Sequence, residues 1–262
     1  SLLINLGGGV VTDMGGFAAA TFKRGIDFVH MPTTLLSQVD ACIGGKTGID
    51  MDNLKNVIGT FTNPKAVFIV PDFLKTLDDQ HLRSGFAEMI KHGLVYDASY
   101  FDQLKQLKPD QLTPEVIYRS IEIKDELVSI DPQEKNIRKI LNFGHTIGHA
   151  IESYSLTNDQ SPLFHGEAIA IGMICEAYLS MQQNGLSKDE LFTIEQTILS
   201  LYPKYKLEPS AFDELISIMK NDKKNHQDRI NCSLLNAIGS CSVNHYCSEE
   251  ALLQSLDYYF NV

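Results

Sequence analysis

No run of apolar residues in this chain of 262 approaches the ~20 that a membrane-spanning helix requires, so a helical membrane protein is excluded. The opening residues Ser1-Leu2-Leu3-Ile4-Asn5-Leu6 lack the basic flank and small-residue cleavage site of a secretory signal. Cysteine is scarce. Cys42, Cys175, Cys232, Cys241 and Cys247 are odd in number, scattered and without a CxxC pair, which excludes a disulfide framework and reads as reduced thiols in a cytoplasmic protein. Basic residues are outnumbered, 22 Lys and Arg against 33 Asp and Glu, for a formal net charge of −11. Such a surface repels phosphate backbones and argues against nucleic acid as a partner. A phosphorylated substrate would need a local cluster of cations against that field. Tryptophan, repeats and low-complexity tracts are absent, and 44% of the residues are hydrophobic, enough for a sizeable core and too many for disorder. An initiator methionine is also missing, and the chain opens directly on a strand-like apolar run, which leads us to expect a segment upstream of Ser1.

Two textures divide what is present. Up to about residue 78, short apolar runs at Leu2–Leu6, Phe28–Met31 and Ala66–Val70 alternate with Gly- or Pro-containing turns and helical patterns. That is α/β texture and predicts a mostly parallel sheet. From residue 79 onward the apolar residues recur at helical spacing. Helices are predicted over Asp79–Tyr96, Thr113–Ile130, Ile137–Tyr154, Gly166–Asn184, Ser187–Leu201 and Pro209–Asn221, with a short strand at Ser233–Ile238. Thr113 before Pro114, Ser187 with Glu190, and Ser210 before an acidic turn serve as helix-start signals.

Three groups of residues carry chemistry. Gly7-Gly8-Gly9-Val10-Val11-Thr12-Asp13-Met14-Gly15-Gly16 follows a strand and opens a helix. Glycines there let the backbone approach an anion at the helix N-terminus, although Thr12 stands where a GxGxxG pattern would have its third glycine. A tight strand–helix turn with no ligand explains the same residues. The second group runs from Pro32 to Thr47, with Thr33 and Thr34 closing a strand, Asp40 on a helical turn, and Lys46 after Gly44-Gly45. Lys55 and Asn56 follow before Gly59. Two lysines and an amide on Gly-flanked loops suit a phosphate or polyol, while a lone lysine is ordinarily a solvated one. The third group is dispersed. Glu88 and Lys91 share a helix face, His145 and His149 lie four apart on another, and His165 opens a third. Three such side chains on separate helices could hold Zn²⁺ with one position open for substrate. HExxH is absent, so the chain is not a zincin.

The blocks Gly7–Gly16, Pro32–Thr47, Lys55-Asn56, Gly85–Lys91, Arg138–Glu152, His165–Met173 and Asp222-Lys223-Lys224 stand in the order and approximate spacing of 3-dehydroquinate synthases, which this chain resembles from its first residue to about residue 240. The resemblance implies a partial Rossmann-like nucleotide-binding domain followed by a mostly α-helical one. Residues 1–78 would be the C-terminal part of the NAD-binding α/β domain, and 79–262 the metal- and substrate-binding domain. It implies Zn²⁺ or Co²⁺ held by Glu88, His145 and His165. It implies NAD against Gly9, Val10, Val11, Thr12, Asp13, Thr33, Thr34, Lys46, Lys55 and Phe73-Leu74-Lys75-Thr76. Substrate contacts would come from Arg24, Asp40, Lys46, Lys55, Asn56, Lys91, Lys124, Arg138, Asn142, His149 and Lys224. The reaction it implies converts 3-deoxy-D-arabino-heptulosonate 7-phosphate to 3-dehydroquinate and phosphate, with NAD reduced and reoxidised inside one cycle, in a cytoplasmic homodimer. Lys91 is expected to be a partly exposed cleft lysine.

Family members carry a substantial segment ahead of the triple glycine. We therefore expect a fragment that folds, keeps the metal ligands together, leaves the edge of Leu2–Leu6 unpaired or aberrantly paired, has residues 1–78 as its less ordered part unless dimer contacts rescue them, and binds NAD weakly or lacks activity. Two other readings stay open at this stage. One is a sister sugar-phosphate cyclase or a metal-dependent NAD(P) alcohol dehydrogenase. The other is an inactive domain with a structural role.

Overall fold

The structure is a computed structural model and describes residues 1–51, 54–220 and 230–262. It falls into two compact units. One comprises residues 1–89 and 109–134, the other residues 90–108 and 135–262. Among the described residues no helix is long and apolar enough to cross a membrane.

The first unit begins with strand β1 (Leu2–Gly7), helix α1 (Gly9–Thr21) and strand β2 (Asp27–Pro32). β1 pairs parallel with β2, from Leu2 opposite Asp27 to Gly7 opposite Pro32. A hairpin follows, formed by β3 (Lys46–Met51) and β4 (Leu54–Phe61), and then β5 (Ala66–Val67). β5 adds parallel to β2, which makes the sheet order β1-β2-β5. The expected α/β texture is therefore present, with β5 shorter than the run Ala66–Val70 predicted. Glycines on α1 set the layer spacing. A Cβ on Gly15 would lie 2.0 Å from Asn5 Oδ1, and one on Gly16 would lie 2.5 Å from Thr47 Cγ2, so only glycine lets β1 and β3 close on this helix. Buried Asn5 donates to His30 Nδ1 at 3.2 Å, and burial lowers the His30 pKa, which keeps that nitrogen an acceptor. On β1 the side chains of Leu2, Ile4 and Leu6 are exposed, and β1 is an edge of the sheet.

Helix α2 (Asp79–Tyr96) starts in the first unit and ends in the second. It has the bounds that its periodicity predicts. Helices α3 (Ala98–Leu104) and α4 (Pro114–Ile130) follow. A 3₁₀ turn over Ile137–Asn142 leads into α5 (His145–Asn158), then come α6 (His165–Gln183), α7 (Lys188–Leu201) and α8 (Phe212–Lys220). Strands β6 (Ile230–Ala237) and β7 (Ser240–Cys247) form an antiparallel hairpin, and α9 (Glu249–Asn261) closes the chain. α6 is the centre of the second unit. Almost every residue from Gly166 to Ala177 is buried, as expected of a helix that is apolar all round. It packs against α5, α7, α9 and β6. Its fully buried Ile169, Met173 and Ile174 each contribute roughly 1.5–3 kcal/mol. The five cysteines form no disulfide.

The start signal at Ser187 is a reciprocal capping box. Ser187 Oγ accepts from the Glu190 N–H at 3.2 Å and Glu190 Oε2 accepts from the Ser187 N–H at 2.9 Å. Glu190 also accepts from the Ile238 N–H at 2.9 Å, which ties α7 to the end of the β6–β7 hairpin. Ser187→Ala is expected to cost about 1 kcal/mol, read as a lower urea midpoint at unchanged slope; an unchanged midpoint would show that the cap contributes nothing. Ser210 does not start a helix directly, because a 3₁₀ turn at Pro209–Ala211 precedes α8.

Candidate active site

In the first unit, Gly7-Gly8-Gly9 turns the chain from β1 into α1. Gly8 caps the helix without a side chain of its own. A Cβ on Gly8 would lie 3.0 Å from Thr34 Cγ2, so the triple glycine and the end of β2 meet, and Thr33 N–H donates to the Gly7 carbonyl at 2.9 Å. The Thr34 and Ser37 hydroxyls lie 2.9 Å apart. The departure at Thr12 has a local explanation. Its side chain is buried in the helix, and Oγ1 donates to the Gly9 carbonyl at 2.9 Å. Burial pushes the neighbouring Cys42 thiol up to about 12, so this turn presents no thiolate.

The same unit pairs two of its cations. Lys124 of α4 is 6% exposed, and its Nζ donates to Asp40 Oδ1 and to the Asp40 carbonyl, each at 2.5 Å. Lys46 opens β3 and pairs with Glu134. Lys55 and Asn56 lie on β4. Arg24 is exposed in the turn after α1, at positive φ, about a helix length of ~20 Å from Gly9. Phe73, Leu74, Lys75 and Thr76 form a 3₁₀ turn over Pro71–Thr76, where Lys75 pairs with Asp72 at 2.9 Å. Glu88 is fully buried on α2. Lys224 lies outside the described residues.

In the second unit three histidines converge. One ligand nitrogen from each of His145, His149 and His165 lies within 4.8 Å of the others. Their ring centroids are 5.1 Å apart for His145 and His149, 5.6 Å for His145 and His165, and 5.7 Å for His149 and His165. Two of them carry orienting partners. His145 Nδ1 sits 3.1 Å from the Phe143 carbonyl, which makes Nδ1 the protonated nitrogen and Nε2 the one with a lone pair. His165 Nδ1 is 3.4 Å from the buried Glu152 carboxylate. An imidazole whose outer nitrogen donates to a carbonyl or carboxylate is the usual arrangement at a metal. This donor set suits a borderline divalent ion such as Zn²⁺ or Co²⁺. His145 is buried, His165 half-buried and His149 exposed, so the cluster has a wet side.

Lys91, Arg138 and Asn142 also lie in this unit. Arg138 is buried on the 3₁₀ turn that leads to α5, and Asn142 ends that turn. Lys91 corrects an expectation. It is 1% exposed, among the most buried large side chains of the protein, and not a partly exposed lysine. It lies on α2 within the stretch Ser84–Val95, every residue of which is buried, so the helix is covered on all faces there and leaves no side open for Lys91. Glu152 and Glu176 are buried carboxylates whose contacts, with His165 and with the Gly144 and Ile147 N–H groups, spacing alone does not reveal. The visible signal for Glu176 was a carboxylate inside the apolar run Ala168–Ala177.

Known proteins resemble the chain over most of its length. Family models described as 3-dehydroquinate synthase N-terminal and 3-dehydroquinate synthase C-terminal match residues 1–84 and 85–225. A 3-dehydroquinate synthase of Parabacteroides distasonis is 44% identical over 99% of this chain and 74% of its own length. The solved structure of 2-epi-5-epi-valiolone synthase from Streptomyces hygroscopicus subsp. jinggangensis, with NAD⁺ and Zn²⁺ bound, superposes with a TM-score of 0.88 at 28% identity, over 100% of this chain and 74% of that one. A 2-deoxy-scyllo-inosose synthase complexed with carbaglucose-6-phosphate, NAD⁺ and Co²⁺ has a TM-score of 0.83 at 26% identity, over 97% and 72%.

Proposed function

Because this chain belongs to the 3-dehydroquinate synthase family, we propose that its lysines and Arg138 hold the two anionic groups of a sugar acid phosphate while Glu88, His145 and His165 hold a divalent metal. The reaction is that of a carbon–oxygen lyase. It converts 3-deoxy-D-arabino-heptulosonate 7-phosphate to 3-dehydroquinate and phosphate, with NAD and a divalent metal as cofactors, on the route to aromatic amino acids. The observation that carries this reading is that both halves of the family pattern match in sequence, over residues 1–84 and 85–225.

His145 and His165 supply two metal ligands in this reading, supported by the orienting contacts at Phe143 and Glu152. The third, Glu88, rests on the sequence resemblance. A metal there supplies Lewis-acid polarisation of a substrate oxygen, and zinc or cobalt fits the donors. Bound NAD would supply reversible redox chemistry with no net oxidation. Gly9, Val10, Val11, Thr12 and Asp13, Thr33 and Thr34, and Phe73–Thr76 would hold the dinucleotide. Lys46, Lys55, Lys91, Lys124 and Arg138 donate charge-assisted hydrogen bonds to phosphate and carboxylate. Asp40 fixes Lys124 through the 2.5 Å bond and orients it for that role. Asn56 and Asn142 hold hydroxyls, and Arg24 and Lys224 complete the anion contacts. His149, the exposed member of its cluster, takes up and returns a proton at a ring nitrogen. Residues 1–78 are assigned to cofactor binding and 79–262 to metal and substrate. A cytoplasmic homodimer is proposed on the resemblance, and unbridged thiols support the reducing compartment.

With the full-length protein, phosphate release from the heptulosonate is expected to require only catalytic NAD, with no NADH accumulating. Stoichiometric NADH would make the protein an alcohol dehydrogenase instead. Lys91→Met keeps the buried stem and removes the charge. It is expected to lower kcat/KM by roughly 10- to 150-fold, the equivalent of about 1.5–3 kcal/mol for a charged hydrogen bond; wild-type turnover in this variant would take Lys91 out of the site.

A further inference from the structure

We propose that Glu176 is a positioning residue for the metal site: its carboxylate holds the N-terminus of α5 and thereby sets where His145 and His149 stand against His165. The inference rests on the reading of His145 and His165 as metal ligands with His149 beside them.

Glu176 lies in the middle of the apolar helix α6 and is 0% exposed. Its Oε2 accepts from the Gly144 N–H at 2.7 Å, and its Oε1 accepts from the Ile147 N–H at 3.1 Å. Those donors belong to the cap and first turn of α5, which carries His145 as its first residue and His149 four further on. Gly144 is in the left-handed region, with φ of 79°, and offers no side chain to cap the helix. Glu176 therefore supplies from a neighbouring helix the acceptor that a Ser or Asp would ordinarily supply in place. The backbones are pressed together around it. A Cβ on Gly172, one turn before Glu176, would fall 2.0 Å from the Gly144 carbonyl oxygen and 2.6 Å from the Gly148 nitrogen. α5 cannot slide along α6 past such a contact without breaking both carboxylate hydrogen bonds.

The link to the third histidine is covalent. His165 is the first residue of α6 and Glu176 lies eleven residues later on the same helix, about 16 Å along a rigid rod. Fixing α5 against Glu176 thus fixes His145 and His149 against His165, whose ring lies 5.6 Å from that of His145. A buried carboxylate is a costly way to fill an apolar helix face. Burial drives Glu176 up to about 8, with the two backbone N–H bonds opposing the shift. An aliphatic side chain would fill the space without that cost and would leave the α5 N–H groups without an acceptor.

The test uses Glu176→Gln and Glu176→Ala, with Leu179→Ala as a control. Leu179 is buried one turn further along α6; its truncation lowers stability without touching the α5 cap. Metal affinity would be read by chelator competition, and ligand geometry by the visible absorption of the Co²⁺-loaded protein, alongside the unfolding temperature. Glu176→Ala is expected to weaken Co²⁺ and Zn²⁺ binding by about 10- to 100-fold, as loss of an orienting outer partner does, and to shift the Co²⁺ bands. Glu176→Gln, which keeps one acceptor oxygen and the full side-chain volume, is expected to fold and to fall between Ala and wild type. Leu179→Ala should unfold at lower temperature and keep the wild-type affinity and spectrum. Folded Glu176 variants with wild-type metal affinity and an unmoved spectrum would overturn the positioning role, as would a Leu179→Ala spectrum shifted to the same extent. A wild-type protein that binds neither metal would overturn the metal reading itself, and the proposal with it.

Discussion

Replacing His145 by alanine is expected to strip the protein of bound metal and to lower kcat/KM by more than about 100-fold, beyond the upper end of what loss of an outer-shell partner costs. The expectation follows from geometry and burial together. His145 is the most buried of the three clustered histidines. Its Nδ1 is committed to the Phe143 carbonyl at 3.1 Å, so its Nε2 can be aimed at an ion without any change of rotamer. Truncation removes a ligand atom and leaves the Phe143 carbonyl without that contact. Metal content of purified protein, beside the unfolding temperature with and without added Zn²⁺, would check it. Wild-type protein should gain stability with metal as binding to the folded state alone requires, and the variant should not. Equal metal content in the two proteins would remove His145 from the site.

The second large effect is expected from a single added methyl group. Gly172→Ala should destabilise the protein by about 3 kcal/mol or more, the upper range for overpacking in a core. A Cβ at this position would meet backbone on the facing helix, at 2.0 Å from the Gly144 oxygen and 2.9 Å from the Gly148 Cα. A flexible side chain could swing away from such a contact, but helix backbone cannot. Gly144 is meanwhile held from the other side by Glu176. Chemical denaturation should show a lower midpoint at unchanged slope, and metal affinity should fall as α5 is displaced. A variant with the wild-type midpoint would mean that the α5–α6 crossing is looser than these distances state.

Much of the fold is legible in the sequence because its helices are long and periodic. α2 has the bounds its apolar spacing predicts, and α6 differs from its expected range by one residue at each end. Where the reading fails, a local backbone feature overrides the pattern. Ile137–Tyr154 reads as one helix, yet the chain makes a 3₁₀ turn, breaks at Gly144 and starts again at His145. That break makes His145, one of the three clustered histidines, the first residue of its helix. The β3–β4 hairpin was hidden by its own composition. Gly48 pairs with Gly59, and glycine weakens the strand signal, so Lys46 reads as the tip of a turn and not the first residue of a strand. β7 is hidden because it alternates weakly, with every side chain but that of Cys247 half-buried or exposed. α9 carries a Ser248 cap and buried Leu252, Leu256 and Tyr259 at helical spacing, so its signal was present.

By itself the sequence determined most of the long helices, the family pattern and the pairing of His145 with His149, since residues four apart on one helix share a face whatever surrounds them. It did not determine how far His165 lies from that pair, that Lys91 is enclosed, or that Lys124 bonds to Asp40. These depend on contacts between segments far apart in the chain. The approach of α5 to α6 is decided by three glycines that permit backbone contact and one buried carboxylate that holds it, and a distance between two helices follows from packing of that kind and from no periodicity within either helix.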